Sequence, residues 1–429
     1  MKIGIKMLMM SGLLLLGQAC GTNENEQEQA INTSMNAEKI LGNPDYLAIS
    51  YGGHRENTRK VQPTVAQVKE DMLLLHAMGI RILRTYNTTK FRHASTVLKA
   101  IRELKDADPQ FEMYVMLGVW IDCENAFTAS PNHEAEDEAA NTAEIEKAVE
   151  MARTYPDIIK VIAVGNEAMV KWAASYFVQP GVILKWVNHL QDLKAEGDLP
   201  EDLWITSSDN FASWGGGGEE YHVSDLEELY EAVDYVSIHT YPMHDTHYNP
   251  AFWGLLQSEK SLPKREQIEK AMLRARDYAR AQYQRVAAYM GSLGVDKPIH
   301  IGETGWASFS NGFYGDEGSK ACNQYNEGRY YQLITEWTNS EGISCFYFEA
   351  FDEPWKDAAN PGGSENHFGL FAVDGEAKYA IWDLVDQGVF KGLSRAGNPI
   401  TKSYDGDLDA LLKDAKIPPV KAKEKLIVQ

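Results

Sequence analysis

Two carboxylates stand at positions where chemistry is easier to explain than packing. Glu303 interrupts the stretch "PIHIGETGWASF" (298–309), in which a run of buried-strand character stops at an acid flanked by Gly302, Thr304, Gly305 and Trp306. Glu167 ends a second apolar run, "VIAVGNEA" (161–168), directly after Asn166. A pair of such acids is the equipment for cleaving a glycosidic bond with retention. One carboxyl is protonated and donates to the leaving oxygen, while the other is ionised and attacks the anomeric carbon. Their separation in that chemistry is about 5–5.5 Å. The rest of the chain must therefore bring residues 167 and 303 to one place.

The elements between them suggest how. From residue 45 short apolar strands alternate with longer helical stretches, the pattern of βα units. The expected strands are 46–53, 80–87, 111–120, 158–167, 202–210, 233–242, 297–306 and 342–355. Eight βα units predict a (β/α)8 TIM barrel as a single catalytic domain over 45–392. A doubly wound sheet is the alternative, but no glycine-rich phosphate loop follows the first strand. In a barrel the active residues lie at the C-terminal ends of the strands. Polar and aromatic groups gather at those ends: Tyr86, Trp120, Asn166, Glu167, Asp209, Asn210, His239, Tyr241, Glu303 and the run Glu349–Lys356. Glu167 closes the fourth strand and Glu303 the seventh, so both would face one mouth.

Composition narrows the partner. With 41 Lys+Arg against 62 Asp+Glu the 429-residue chain carries −21. No basic patch stands out, which argues against nucleic acid and favours a neutral substrate. The first residues, "MKIGIKMLMMSGLLLLGQAC", place Lys2 and Lys6 before an apolar run and Cys20. They read as a lipoprotein-type signal peptide (1–20) with lipidation at Cys20, or alternatively as an ordinary signal cleaved so that Cys20 is lost. A polar flexible tether (21–44) is expected next, and a C-terminal tail (393–429) that packs on the barrel or trails. This predicts a monomer in a bacterial cell envelope, held to the membrane through its N-terminal lipid alone. Of the remaining cysteines, Cys123, Cys322 and Cys345, at most one pair can bridge, and Cys322–Cys345 is the pairing to test. The acidic run at 134–150 reads as a solvated helix face.

The segments "VIAVGNEA", "HTYP", "IGETGWAS" and "FDEPWK…SENHFGLF" together resemble glycoside hydrolase family 17, the β-1,3-glucanases of clan A, over roughly residues 45–385. The resemblance implies Glu167 as acid/base and Glu303 as nucleophile. It also implies Asn166 on the sugar's 2-hydroxyl, Tyr241 orienting Glu303, and Tyr86 at the end of the second strand. Glu353, Lys356 and Glu365 would form a charge network tuning the acid. Two departures from plant members, Ala307 after "ETGW" and His239 where they carry asparagine, leave that chemistry intact.

Substrate is expected to be a β-1,3-glucan of the laminarin type, with Asn210, Trp214, Trp306 and Trp355 lining its path. Trp120, Trp172 and Trp253 could equally pack in the core. His239, His244 and His247 in "HTYPMHDTH" could suggest a metal, but the family works without one, so neither metal nor cofactor is expected. "WGGGGEEYH" (214–222) reads as a mobile flap beside the cleft. Two other outcomes stay open: transfer of the glucosyl unit to a sugar, making a glucanosyltransferase, or a surface glycan-binding protein that does not turn over.

Overall fold

The computed structural model describes residues 35–421. The signal segment, Cys20 and almost all of the tether lie outside the described residues. Eight parallel strands close into a barrel: β1 (Leu47–Ser50), β2 (Ile80–Arg84), β3 (Tyr114–Val119), β4 (Ile159–Asn166), β5 (Trp204–Asn210), β6 (Val236–His239), β7 (Ile299–Gly305) and β8 (Cys345–Phe348). Each pairs with its sequence neighbours and β8 pairs with β1, so the sheet has no open edge. The fold is a (β/α)8 barrel, as the strand count implied. Both faces of such a sheet are covered, which explains why β4 reads "IKVIAVGN" with every residue but the last buried.

Helices cover the outside by the usual spacing. Helix α2 (Val65–Ala77) follows the short α1 (Ala37–Ile40), starts with a Thr64–Gln67 capping box, and buries Val68, Met72 and Leu75 on one face. Helix α3 (His93–Ala107) buries Ala94, Val97, Leu98, Ile101 and Leu104 in the same way.

Four sequence expectations need correction. The tether ends sooner than residue 44, since Ala37 and Ile40 of α1 have no exposed surface. The Gly42 N–H donates to Ser344 Oγ at 2.8 Å, placing this segment beside the N-terminal end of β8. One helical turn of four residues is too short to show a period. The acidic run is not only a solvated face. Within helix α4 (Glu138–Thr154), Glu144 is buried and accepts hydrogen bonds from the backbone N–H groups of Thr88, Thr89 and Trp120. It thereby ties down the loops that follow β2 and β3. The glycine-rich segment is anchored at both ends rather than flap-like: Trp214 is fully buried, and His222 stacks on Tyr289 of the long helix Lys264–Ser292. The cysteines Cys123, Cys322 and Cys345 are all free, so the Cys322–Cys345 bridge is absent.

The C-terminal segment packs, through residue 421. Arg395 is buried against Asp71 of α2 at 2.9 Å, and Leu411 and Ala415 are buried too. Among the described residues no helix is long and apolar enough to cross a membrane.

Candidate active site

Strand register sets the site. Asn210 on β5, His239 on β6 and Glu303 on β7 lie level with one another across three neighbouring strands. Asn166 on β4 pairs with Ser208 of β5. Glu167 follows in left-handed backbone, φ 48°, a conformation that a residue with a side chain rarely adopts and that recurs at functional sites. Its N–H donates to Ser208 O at 3.1 Å, which holds that turn against β5.

Both oxygens of Glu303 are occupied. Arg84, fully buried at the end of β2, donates to Oε1, and the Tyr241 hydroxyl donates to Oε2 at 2.8 Å. A second Arg84 nitrogen donates to Asn166 Oδ1 at 2.7 Å. Burial by itself would raise the Glu303 carboxyl. The Arg84 and His239 charges and the Tyr241 hydrogen bond outweigh it and bring the group down to about 2. This carboxylate is ionised at any working pH.

The partner acid stands across one imidazole. His239 Nδ1 lies 3.1 Å from Glu167 Oε1 and 3.7 Å from Glu303 Oε2. Those two oxygens are therefore at most about 6.8 Å apart, the sum of the two distances. That bound includes the retaining separation of about 5–5.5 Å. The other ring nitrogen sits 2.8 Å from Ser208 Oγ, itself 2.9 Å from Ser237 Oγ. Gly302 makes room for this pair, because a Cβ there would meet both hydroxyl oxygens at 2.2 Å.

Glu303 lies where two cavities meet, so together they form one cleft. The first, about 510 Å³, is lined by Tyr86, Asn87, Asn166, Trp120, Trp355 and Glu353, among others. The second, about 840 Å³, is lined by Glu167, Trp172, Asn210, Tyr241, Tyr248 and Glu365, among others.

Beneath the first cavity, Glu353 accepts from both the N–H and Nδ1 of His54, at 2.9 and 3.0 Å, and lies 3.6 Å from Lys356. Lys356 also reaches Glu349 at 3.2 Å. Burial raises both carboxyls. Added to the nearby Glu353 charge, it leaves Glu349 well above the usual range, while the His54 hydrogen bonds and Lys356 hold Glu353 well below it. Gly52 permits the contact, as its Cβ would fall 2.2 Å from Glu353 Oε1.

Most of the expected residues meet here, with two exceptions. Trp306 and Trp214 are fully buried. Trp306 packs among Trp253 and Tyr330 and donates to Ala321 O, while Trp214 donates to Ser237 O behind the barrel wall. Neither offers a face to a sugar. The expected charge network spans both cavities: Glu353 and Lys356 line the first and Glu365 the second, 3.7 Å from His244, with the Lys356 charge still holding the Glu365 carboxyl down. Of the three histidines, His239 faces the glutamates, His244 stacks on Tyr241 and His247 stacks on Phe313. Among the described residues no group of three or more His, Cys, Asp or Glu is arranged to hold a metal ion.

Arg84, His54 and Arg59 escaped the sequence reading. For Arg84 the signal was present, a cation ending the strand "IRILR" two residues before Tyr86.

Residues 48–369 match the model of the BtgE/BtgC glycoside hydrolase domain. The chain belongs to this glycoside hydrolase family. The hydrolase is similar to the solved endo-laminarinase from Formosa Hel1_33_131, with 65% identity and a TM-score of 0.89 over 91% of this chain and 99% of that one. A glucan 1,3-beta-glucosidase of Arthroderma benhamiae is 26% identical over 322 residues, which is 73% of the hydrolase and 83% of the relative. An active-site mutant of the Rhizomucor miehei beta-1,3-glucanosyltransferase, solved with laminaritriose, shares the fold at 22% identity and a TM-score of 0.54, over 78% of this chain and 96% of that one.

Proposed function

We propose that this glycoside hydrolase cleaves β-1,3-glucosidic bonds within laminarin-type glucan, with net retention. One arrangement carries the reading: an ionised carboxylate and a second acid, bridged by one imidazole, at the junction of an open cleft. The identity with the endo-laminarinase supports the choice of substrate.

The lining orients the chain. Glu167 must reach the departing oxygen, so the leaving sugars occupy the larger cavity that it lines. Asn166 lines the smaller one, where the sugar under attack sits with its 2-hydroxyl toward the amide. Glu303 attacks the anomeric carbon as the C–O bond breaks, and Glu167 gives its proton to the departing oxygen. Water then enters on the Glu167 side and loses a proton to that carboxylate. Its oxygen bonds the anomeric carbon, and Glu303 leaves as a free carboxylate. Two inversions give retention.

Glu167→Gln and Glu303→Gln should each lower turnover of laminarin by several orders of magnitude while binding survives. Unimpaired turnover in either variant would sink the assignment. Transfer to a sugar acceptor is the second reading, favoured by Trp172, Tyr248 and Tyr314 lining the leaving-group side. Products longer than a defined oligosaccharide substrate would reveal it. Laminarin bound without new reducing ends would instead mark a binding protein.

We further propose attachment to a bacterial envelope membrane through acylated Cys20, supported by Lys2, Lys6 and the apolar run before it. Cys20→Ala should release the protein from the membrane fraction.

A further inference from the structure

Five aromatic side chains stand well exposed among the described residues: Phe127 (59%), Trp172 (62%), Tyr248 (64%), Phe309 (51%) and Phe313 (58%). Single exposed apolar residues need no explanation, but these are not scattered. All five follow the C-terminal ends of barrel strands, on the face that carries Glu167 and Glu303. Phe127 lines the smaller cavity, and Trp172 and Tyr248 line the larger one. Phe309 and Phe313 lie outside both.

Phe313 is nevertheless joined to the cleft by ring contacts. His247 stacks on it at 4.2 Å and 10° and meets the edge of Tyr248 at 4.8 Å. Tyr314, 6.5 Å from Phe313, lines the larger cavity with Tyr248. Aromatic surface thus runs without a break from the leaving-group half of the cleft out to Phe313.

The loop that carries Phe313 is held in place. Its carbonyl accepts from Ser319 N–H at 2.8 Å, and Tyr314 O accepts from Cys322 N–H at 3.0 Å. Ser319 is tied to Thr246 by a 2.7 Å hydroxyl contact and to the Trp253 indole through its carbonyl at 2.9 Å. Gly318 is required at this bend, since a Cβ there would fall 2.0 Å from Phe313 O. A ring set on a pinned loop loses little freedom when it binds, so its contact area converts efficiently into affinity.

We propose that Phe313, continuous with His247 and Tyr248, is an outer platform that holds the leaving-group end of a long β-1,3-glucan beyond the catalytic cleft. The occupant is the same neutral chain that the cleft takes, because glucose rings present apolar C–H faces that lie flat on exposed aromatic rings. The inference rests on the glucanase reading and deepens it: the grip on polymer is greater on the leaving-group side.

The test compares the full chain with its Phe313→Ala variant on laminarin and on laminaritetraose, which when cleaved places at most three glucose units on the leaving-group side. KM for laminarin should rise about three- to tenfold with kcat unchanged, and both constants for the tetramer should hold. Phe313→Trp should keep the wild-type values, because the ring remains. An equal change on both substrates, or an unchanged KM for laminarin, overturns the platform. Failure of the wild type to cut laminarin at all would fell the glucanase reading instead. Retardation of Glu167→Gln in a laminarin gel then decides the platform separately: a loss of retardation on adding Phe313→Ala supports it, and no loss overturns it.

Discussion

The two halves of the cleft are built from different material. The smaller half is a charge framework with aromatic panels. Glu353, His54, Lys356 and Glu349 interlock beneath it, and Arg59 sits between the rings of Phe91 and Trp355 at 4.4 and 4.0 Å. Behind it, Tyr51 donates to Asp71, which Arg395 and Arg55 also hold. The larger half is lined by Trp172, Tyr241, Tyr248 and Tyr314, with acids and, among the described residues, no lysine or arginine. Directional bonds between buried charges permit one geometry, whereas ring faces accept a sugar in several. The half that must hold the reacting sugar is therefore the rigid one, and the half that must receive varied lengths of leaving chain is the tolerant one.

This contrast can be broken experimentally. The largest effect is expected at the junction. Arg84→Gln should lower kcat about a thousandfold, on the order of 4 kcal/mol. Without the guanidinium, the largest influence opposing burial is gone and the Glu303 carboxyl rises from about 2. The nucleophile then protonates at higher pH, so the acid limb of the kcat/KM profile should move upward. An unmoved limb would show that Arg84 does not control the ionisation. The same linkage affects stability. Glu303 is held below its ordinary 4.5, so it stabilises the wild type above that pH, and this is lost as pH falls toward 2.

Next comes the wall behind the smaller half. Arg395→Met leaves Asp71 buried with one guanidinium fewer, and should cost about 3 kcal/mol, read as a lowered unfolding midpoint in urea. A neutral result would mean that the C-terminal segment does not brace this half. Trp355→Ala should lower kcat/KM about tenfold on substrates of every length, since the glycone is always present. Trp172→Ala should have the smallest effect on hydrolysis, about twofold, and instead reduce products longer than the substrate. Equal product spectra from these two tryptophan variants would erase the distinction between the halves.

Much of this was readable in one dimension. Strand ends rich in polar residues named the mouth of the barrel, and the flanks of Glu167 and Glu303 singled them out. The tryptophans show where such reading stops. Trp306 lies three residues beyond Glu303 and was expected in the cleft, yet its ring is among Trp253 and Tyr330 and fully buried. Closeness in sequence to a catalytic group does not say which way a bulky side chain turns once the strand has ended. Glu144 teaches the converse: an acid within a charged run reads as solvated, yet it is buried because three loop N–H groups converge on it. The backbone groups that satisfy it come from segments far away in the chain.

By itself the sequence determined that eight βα units follow one another and that two acids end the fourth and seventh strands. Those are properties of local apolar pattern and chain order, and each is decided within a few residues. Only the closed barrel decided that Arg84, His239 and Glu167 would surround one carboxylate, which aromatic rings face sugar, and that the cleft has a rigid and a tolerant half. Each of these depends on strand register and on burial. Both are set by the simultaneous packing of segments hundreds of residues apart, which no local pattern records.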